Sequence, residues 1–401
     1  MNRNKKYFAY IFILFLFTGL FFRYLNRSPK RHYCDFRVYH ATAQRFLAKK
    51  DIYSRPDPEI TPYKYSPMFA FLVSPLGFLS RKAASLTFFT LNFICLLLIF
   101  ILSKKMIVKD KISYRQTVFL YSLTAIFSFR FMLQVLDSGQ VGILILALVV
   151  LGLYFIQSQK KLLTTGLISL SIFIKYMSAL FIPYFLLRKK YKITVFILIF
   201  IVLFCVLPAL YLGIDKQIDY TKSWLPFISD TSLDKGSFYS YKNQSIYSLV
   251  LRYFTKGSSY GVSLADFSFY QGLLIALGIA AIIYLLILIP SGKSKKLNVV
   301  DYSLLFLSTA LFNPNAWMHN FIVFIFAYLV VIYYLIKVDF KDRLTVALVF
   351  ISFLLASAGS ESIVGDNLET LLEQFSSVAV GTLILMVVLF RLKFKKLYPS
   401  E

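Results

Sequence analysis

The feature that most constrains this chain is a repeat of one pattern: an apolar run of about twenty residues, then a short polar break. At about 1.5 Å of rise per residue, such a run crosses a hydrocarbon layer of about 30 Å as a helix. Hydrophobic residues make up 58% of the 401, above the about 45–50% of ordinary soluble domains. The runs leave no room for a soluble domain of usual size. The expectation is therefore a single all-α, polytopic membrane domain over 1–401.

Charge is informative through its placement. A net charge of +25 brings nucleic acid to mind as a partner. The lysines and arginines instead sit in short clusters between the apolar runs, as in the positive-inside pattern of membrane proteins. No nucleic-acid partner is expected. The three cysteines, Cys34, Cys95 and Cys205, match no metal-ligand spacing and make no disulfide framework. No cofactor or metal is expected. The basic start (Arg3, Lys5, Lys6) leads into Tyr7–Phe22, and no small residues suited to cleavage precede Arg23. That run reads as a first span, not as a cleaved signal peptide.

Spans are expected at about 7–25, 84–103, 117–134, 141–157, 193–212, 267–290, 301–312, 321–336, 344–360 and 376–391. The run Leu162–Leu187 is different. It is long enough for one crossing, yet Lys160-Lys161 precede it and Arg188-Lys189-Lys190 follow it. One crossing would leave a basic cluster outside. It would also place Lys175 mid-membrane, where a charge costs about 2.5–3.5 kcal/mol on an insertion scale. A hairpin of two short helices with Lys175 at its outer end removes both problems. With the hairpin counted as two, the total is about twelve transmembrane helices, both termini cytoplasmic.

Two external loops are large. The first, 26–83, carries Phe36, Tyr39, Ala43, Phe46 and Leu47 at helical spacing, which predicts an amphipathic juxtamembrane helix. Prolines 56, 58, 62 and 67 follow, and then Met68–Leu79, apolar but too short to span. The second external loop is 213–266. Most acids fall on the same side, including Asp35, Asp51, Asp137, Asp215 and the group Glu361, Asp366, Glu369 and Glu373.

The unusual polar residues collect on that face. Asp35 opens the amphipathic helix, where an aspartate is an ordinary cap; it could equally take a proton from a hydroxyl. Lys175 at a hairpin apex suits an anionic headgroup. Arg252 could bind a lipid phosphate, whereas Asn243 and Gln244 could simply cap a surface helix. Trp317 fits an interfacial belt, and a lone His319 is commonly structural. No Walker loop, glycine-rich phosphate cradle or Ser-His-Asp order is present.

Four stretches carry a resemblance to a known family. They are Asp35-Phe36-Arg37-Val38-Tyr39-His40 with Asp51-Ile52-Tyr53 and Tyr63-Lys64-Tyr65-Ser66-Pro67; Gly139-Gln140-Val141; Gly166 to Lys175 with Pro183 and Arg188-Lys189-Lys190; and Asn243-Gln244-Ser245 with Arg252, then Asn313-Pro314 and Trp317 with His319. In this order they resemble the polyprenyl-phosphate-sugar-dependent glycosyltransferases of the GT-C superfamily, and within them glycosyltransferase family 87, a bacterial α-mannosyltransferase group. The resemblance implies a GT-C-like bundle and a donor made of a sugar, often mannose, on a polyprenyl phosphate. It implies transfer to a lipid or glycan acceptor on the external face of the plasma membrane, with inversion at the anomeric carbon. Asp35 matches the catalytic base. Lys175, His319 and Arg252 are expected at the donor phosphate, and Tyr39, Lys64, Tyr65, Gln140, Asn243, Gln244 and Trp317 at the substrates. Two departures stand out: Ser66-Pro67 where the family has two prolines, and Tyr176 where proline commonly follows the lysine. The rival expectations are a secondary transporter or flippase of a lipid-linked or anionic substrate, and a ligase that takes a diphosphate-linked glycan.

Overall fold

The computed structural model describes residues 18–23, 34–54, 61–229, 235–257, 263–290 and 297–398. The basic N-terminus, most of the first expected span, Pro56 and Pro58, Asp230 and Asp234, and the lysines at 293, 295 and 296 lie outside these residues. Among the described residues regular structure is helical, and β pairing is confined to one isolated bridge between Thr255 and Phe267.

Helix α1 (Cys34–Leu47) buries Phe36, Tyr39, Ala43 and Phe46 on one stripe and leaves Gln44 exposed, as its spacing predicts. It packs on α2 (Pro67–Val73) and the 3-10 turn Ser74–Phe78 that continues it. Ser66 starts α2. Its hydroxyl accepts from the Phe69 amide at 3.2 Å, and Pro67 fills the first turn, where no amide donor is needed. Gly77 lets this piece approach α1, since a Cβ there would lie 2.9 Å from the Ala43 carbonyl carbon.

The bundle then follows as α3 (Arg81–Ile107), α4 (Tyr114–Ser138), α5 (Gly142–Gln157), α6 (Lys161–Ile174), α7 (Phe181–Leu187) and α8 (Tyr191–Val206). Helices α9 (Ile214–Ser229) and α10 (Ile246–Phe254) lie in the second large loop. They lead to α11 (Phe269–Leu288), α12 (Val299–Leu311), α13 (Phe324–Lys337), α14 (Arg343–Phe353), α15 (Asp366–Gln374) and α16 (Ser377–Phe394). Among the described residues six helices are long and apolar enough to cross a membrane: α3, α4, α11, α16, Tyr191–Leu212 and Met318–Lys337. Shorter apolar helices of 10–17 residues accompany them, α5, α6, Tyr176–Leu187 and α12 among these. The chain is a polytopic membrane protein.

The run around Lys175 breaks where the basic flanks required. Helix α6 stops at Ile174, Lys175 is extended (φ −151°, ψ 115°), and a 3-10 turn over Tyr176–Leu180 leads into α7. Ser169 bonds the Ile197 carbonyl, and Phe173 meets Phe204 further along both helices. Helices α6 and α8 are thus parallel, so the chain between them doubles back. Lys160-Lys161 and Arg188-Lys189 therefore share the end of the bundle away from Lys175.

That far end is closed by a buried charge cluster. Asp301, at the start of α12, pairs with Arg188 (2.7 Å) and Lys393 (3.0 Å) and accepts from Asn298 Nδ2 (2.8 Å). A buried carboxylate needs such partners. In the middle of the bundle α13 is hidden on every side: each residue from Phe324 to Ile336 is buried, against α3, α4, α12, α14 and α16. A helix that is apolar all round belongs there.

Candidate active site

At the end opposite Asp301, loops from distant parts of the sequence surround one cavity of ≈ 380 Å³. Asp35 enters it from the first turn of α1. The helix begins at Cys34, so Asp35 lies inside the turn and not at its cap, where the positive end of the helix dipole favours a carboxylate. One turn on, Tyr39 projects from the same face.

Gly139 ends α4 in the left-handed region (φ 68°), which a residue without a Cβ adopts without strain, and so delivers Gln140 to the cavity. Gln140 Oε1 accepts from Tyr39 Oη at 3.2 Å and from Tyr65 Oη at 3.3 Å, and the two hydroxyls lie 2.9 Å apart. Burial holds both phenols above their ordinary pKa, and the negative charge of Asp35 acts in the same direction. Both remain neutral donors beside the carboxylate.

Lys175 faces Asp35 from the hairpin apex. Burial pushes its ammonium down to about 8, and the Asp35 charge opposes that shift. Its Nζ donates to Asn320 Oδ1. The amide of Asn320 is held in that orientation because its Nδ2 donates to the Asn315 carbonyl at 3.0 Å. The Ser66 hydroxyl donates to the Phe173 carbonyl at 2.6 Å and ties the hairpin to the base of α2. His319 also lines the cavity, and Gly142 admits its backbone, since a Cβ there would sit 2.9 Å from the His319 carbonyl oxygen. Lys64 and Trp317 are exposed at the rim.

Eight of the residues expected at the site are therefore brought together: Asp35, Tyr39, Lys64, Tyr65, Gln140, Lys175, Trp317 and His319. Three are not. Arg252 is buried, and its guanidinium donates to the carbonyls of Tyr241 (3.1 Å), Glu373 (3.0 Å) and Asn243 (2.6 Å). Asn243 bonds the Pro314 carbonyl (2.7 Å) and the Ala316 amide (3.1 Å). Gln244 takes the Glu373 carbonyl (2.8 Å) and the Val378 amide (3.2 Å). These three tie the loop 313–317 to the end of α15 and the start of α16.

Sequence reasoning gave no site role to Asn313, Asn315 or Asn320; Asn313 and Asn315 line the cavity, and Asn320 meets Lys175. It also missed Trp224, which α9 carries to the cavity from the second external loop. Nor did it find Arg130, buried in α4, which holds Glu369 and Glu373 of α15 at 2.7 Å each. Among the described residues no group of three or more His, Cys, Asp or Glu side chains is placed to hold a metal ion.

A smaller apolar crevice shares Lys175 with the cavity and is lined by Asn320 and by Ile145, Leu146, Phe181 and Phe306. Residues 63–314 match the family model for glycosyltransferase family 87. No curated protein and no solved structure matches the chain.

Proposed function

The chain belongs to glycosyltransferase family 87 and is a membrane glycosyltransferase, and we propose that it moves a sugar, expected to be mannose, from a polyprenyl phosphate to a lipid or glycan acceptor on the external face. The observation that carries this reading is the single cavity in which Asp35 faces Lys175, with His319 in the same lining. Asp35 is the general base. Its carboxylate takes the proton of an acceptor hydroxyl as that oxygen attacks the anomeric carbon. The carbon–oxygen bond to the phosphate breaks on the opposite face, with inversion, and the electron pair leaves with the polyprenyl phosphate. Lys175, oriented by Asn320, and His319 offset the negative charge that develops there. The tyrosine pair and Gln140 fix the wall beside the carboxylate. The crevice at Lys175 suits the first isoprene units, since it is apolar and begins at the proposed phosphate position.

The test is an assay of membranes carrying the protein with radiolabelled polyprenyl-phosphate-mannose, with lipid and glycan products separated. Label is expected to move to an acceptor. Absence of transfer from this donor, with transfer from a diphosphate-linked glycan, would overturn the choice of donor.

A further inference from the structure

The chain has two tryptophans, and both line this one cavity. They arrive from unrelated places, Trp224 from α9 and Trp317 from the loop before α13. Trp317 is 46% exposed at the rim. Trp224 is half-buried and stacks on Phe173 (ring centroids 6.3 Å apart, 26° between planes), so one side of its indole is braced while the ring still borders the cavity. The braced ring belongs to a helix that is itself fixed, because Tyr220 of α9 bonds the Lys50 carbonyl beyond α1. The same lining offers uncharged polar groups, Thr61, Ser237, Asn313 and Asn315, with Lys64 at the rim.

An indole face carries negative quadrupole charge. It attracts the weakly positive C–H patch on one face of a pyranose, while hydroxyls and amides nearby take the sugar's own hydroxyls. Rigid aromatic surface held in advance gives contact at small entropic cost. The apolar crevice lies on the Lys175 side, so the lipid end of a donor is accommodated there. Trp317 at the exposed rim is met by an acceptor that enters from the open side, and Trp224 borders the same cavity. We propose that Trp224 and Trp317 form a platform for a pyranose ring of the acceptor, which makes the acceptor a saccharide. This rests on the transferase reading above for the word acceptor, but not for the sugar-binding surface itself.

Because no other indole is present, tryptophan emission of the purified protein reports on the cavity directly. The probes are a panel of methyl pyranosides and their disaccharides, with inorganic phosphate and sugar-free polyprenyl phosphate as separate arms. Saccharide is expected to quench or shift emission in the parent protein and in both Trp224→Phe and Trp317→Phe, where the remaining indole reports alone. In the transfer assay, Trp224→Ala is expected to raise KM for a saccharide acceptor about two- to tenfold with kcat retained, as for loss of uniform binding. An emission response to polyprenyl phosphate but to no saccharide overturns the platform and leaves the donor reading standing. A fall in kcat with unchanged acceptor KM overturns it too. A saccharide response in a protein that transfers from no polyprenyl-phosphate donor supports the platform and sinks the donor reading alone.

Discussion

At the scale of single residues, the site separates chemistry from support. Asp35 sits in a helical first turn, where Asn keeps the size and shape of the side chain at a cost of about 0.3–1 kcal/mol of dipole interaction but cannot accept the hydroxyl proton. Asp35→Asn is expected to insert and bind donor lipid yet lose nearly all transfer; near-normal transfer would move the base elsewhere. Lys175 gives a pH signature. With its ammonium lowered to about 8 by burial, the charge is present below that pH and lost above it. Donor binding should therefore decline as pH rises through about 8. Lys175→Arg, whose guanidinium stays charged, should show no such decline, and identical profiles would remove Lys175 from the phosphate. Asp35 and Lys175 were legible in the sequence because a charge beside an apolar run needs an explanation. Asn320 was not, because an uncharged amide in a polar loop gives no such signal until Lys175 is placed against it.

At the scale of elements, the hairpin is the instructive case. Its two basic ends and central lysine were enough to require a turn at Lys175, and the chain breaks there. Topology reporters fused after Lys161 and after Lys192 are expected to read the same side; opposite sides would dismantle the hairpin as a membrane element. The helix pair at the start of the site makes a sharper demand. Gly77→Ala is expected to lower thermal stability in detergent, because the added methyl would meet backbone of α1 and crowding of this kind costs about 1–3 kcal/mol. Periodicity gave α1 its buried stripe, but it could not tell which loop residues serve as fasteners. Arg252, Asn243 and Gln244 looked like ligand groups because polar residues in an external loop suit either role. Their carbonyl and amide partners, at 313–316 and around 373–378, are distant in sequence.

At the scale of the molecule, the cavity and the Asp301 cluster mark opposite ends of the bundle. With Cys34, Cys95 and Cys205 replaced, single cysteines at Lys64 and Glu361 are expected to react with an impermeant reagent from outside. Cysteines at Lys189 and Lys341 should react only after permeabilisation, and the reverse pattern would invert the proposed orientation. Charge clustering and apolar length made the membrane bundle readable. The Asp301–Arg188–Lys393 and Arg130–Glu373 pairings were not, since each joins residues roughly a hundred or more positions apart and sequence carries no mark of who meets whom. The wholly enclosed α13 has a consequence for how the protein is made. A ribosome delivers α13 before α14 and α16 exist, so in the nascent chain it must first lie against lipid or a chaperone along the flank those helices later cover. The Tyr328 hydroxyl waits for Ser352 over the same interval. Biogenesis thus ends with an interment, and a message truncated before Ser377 would yield a chain whose innermost helix still faces the bilayer.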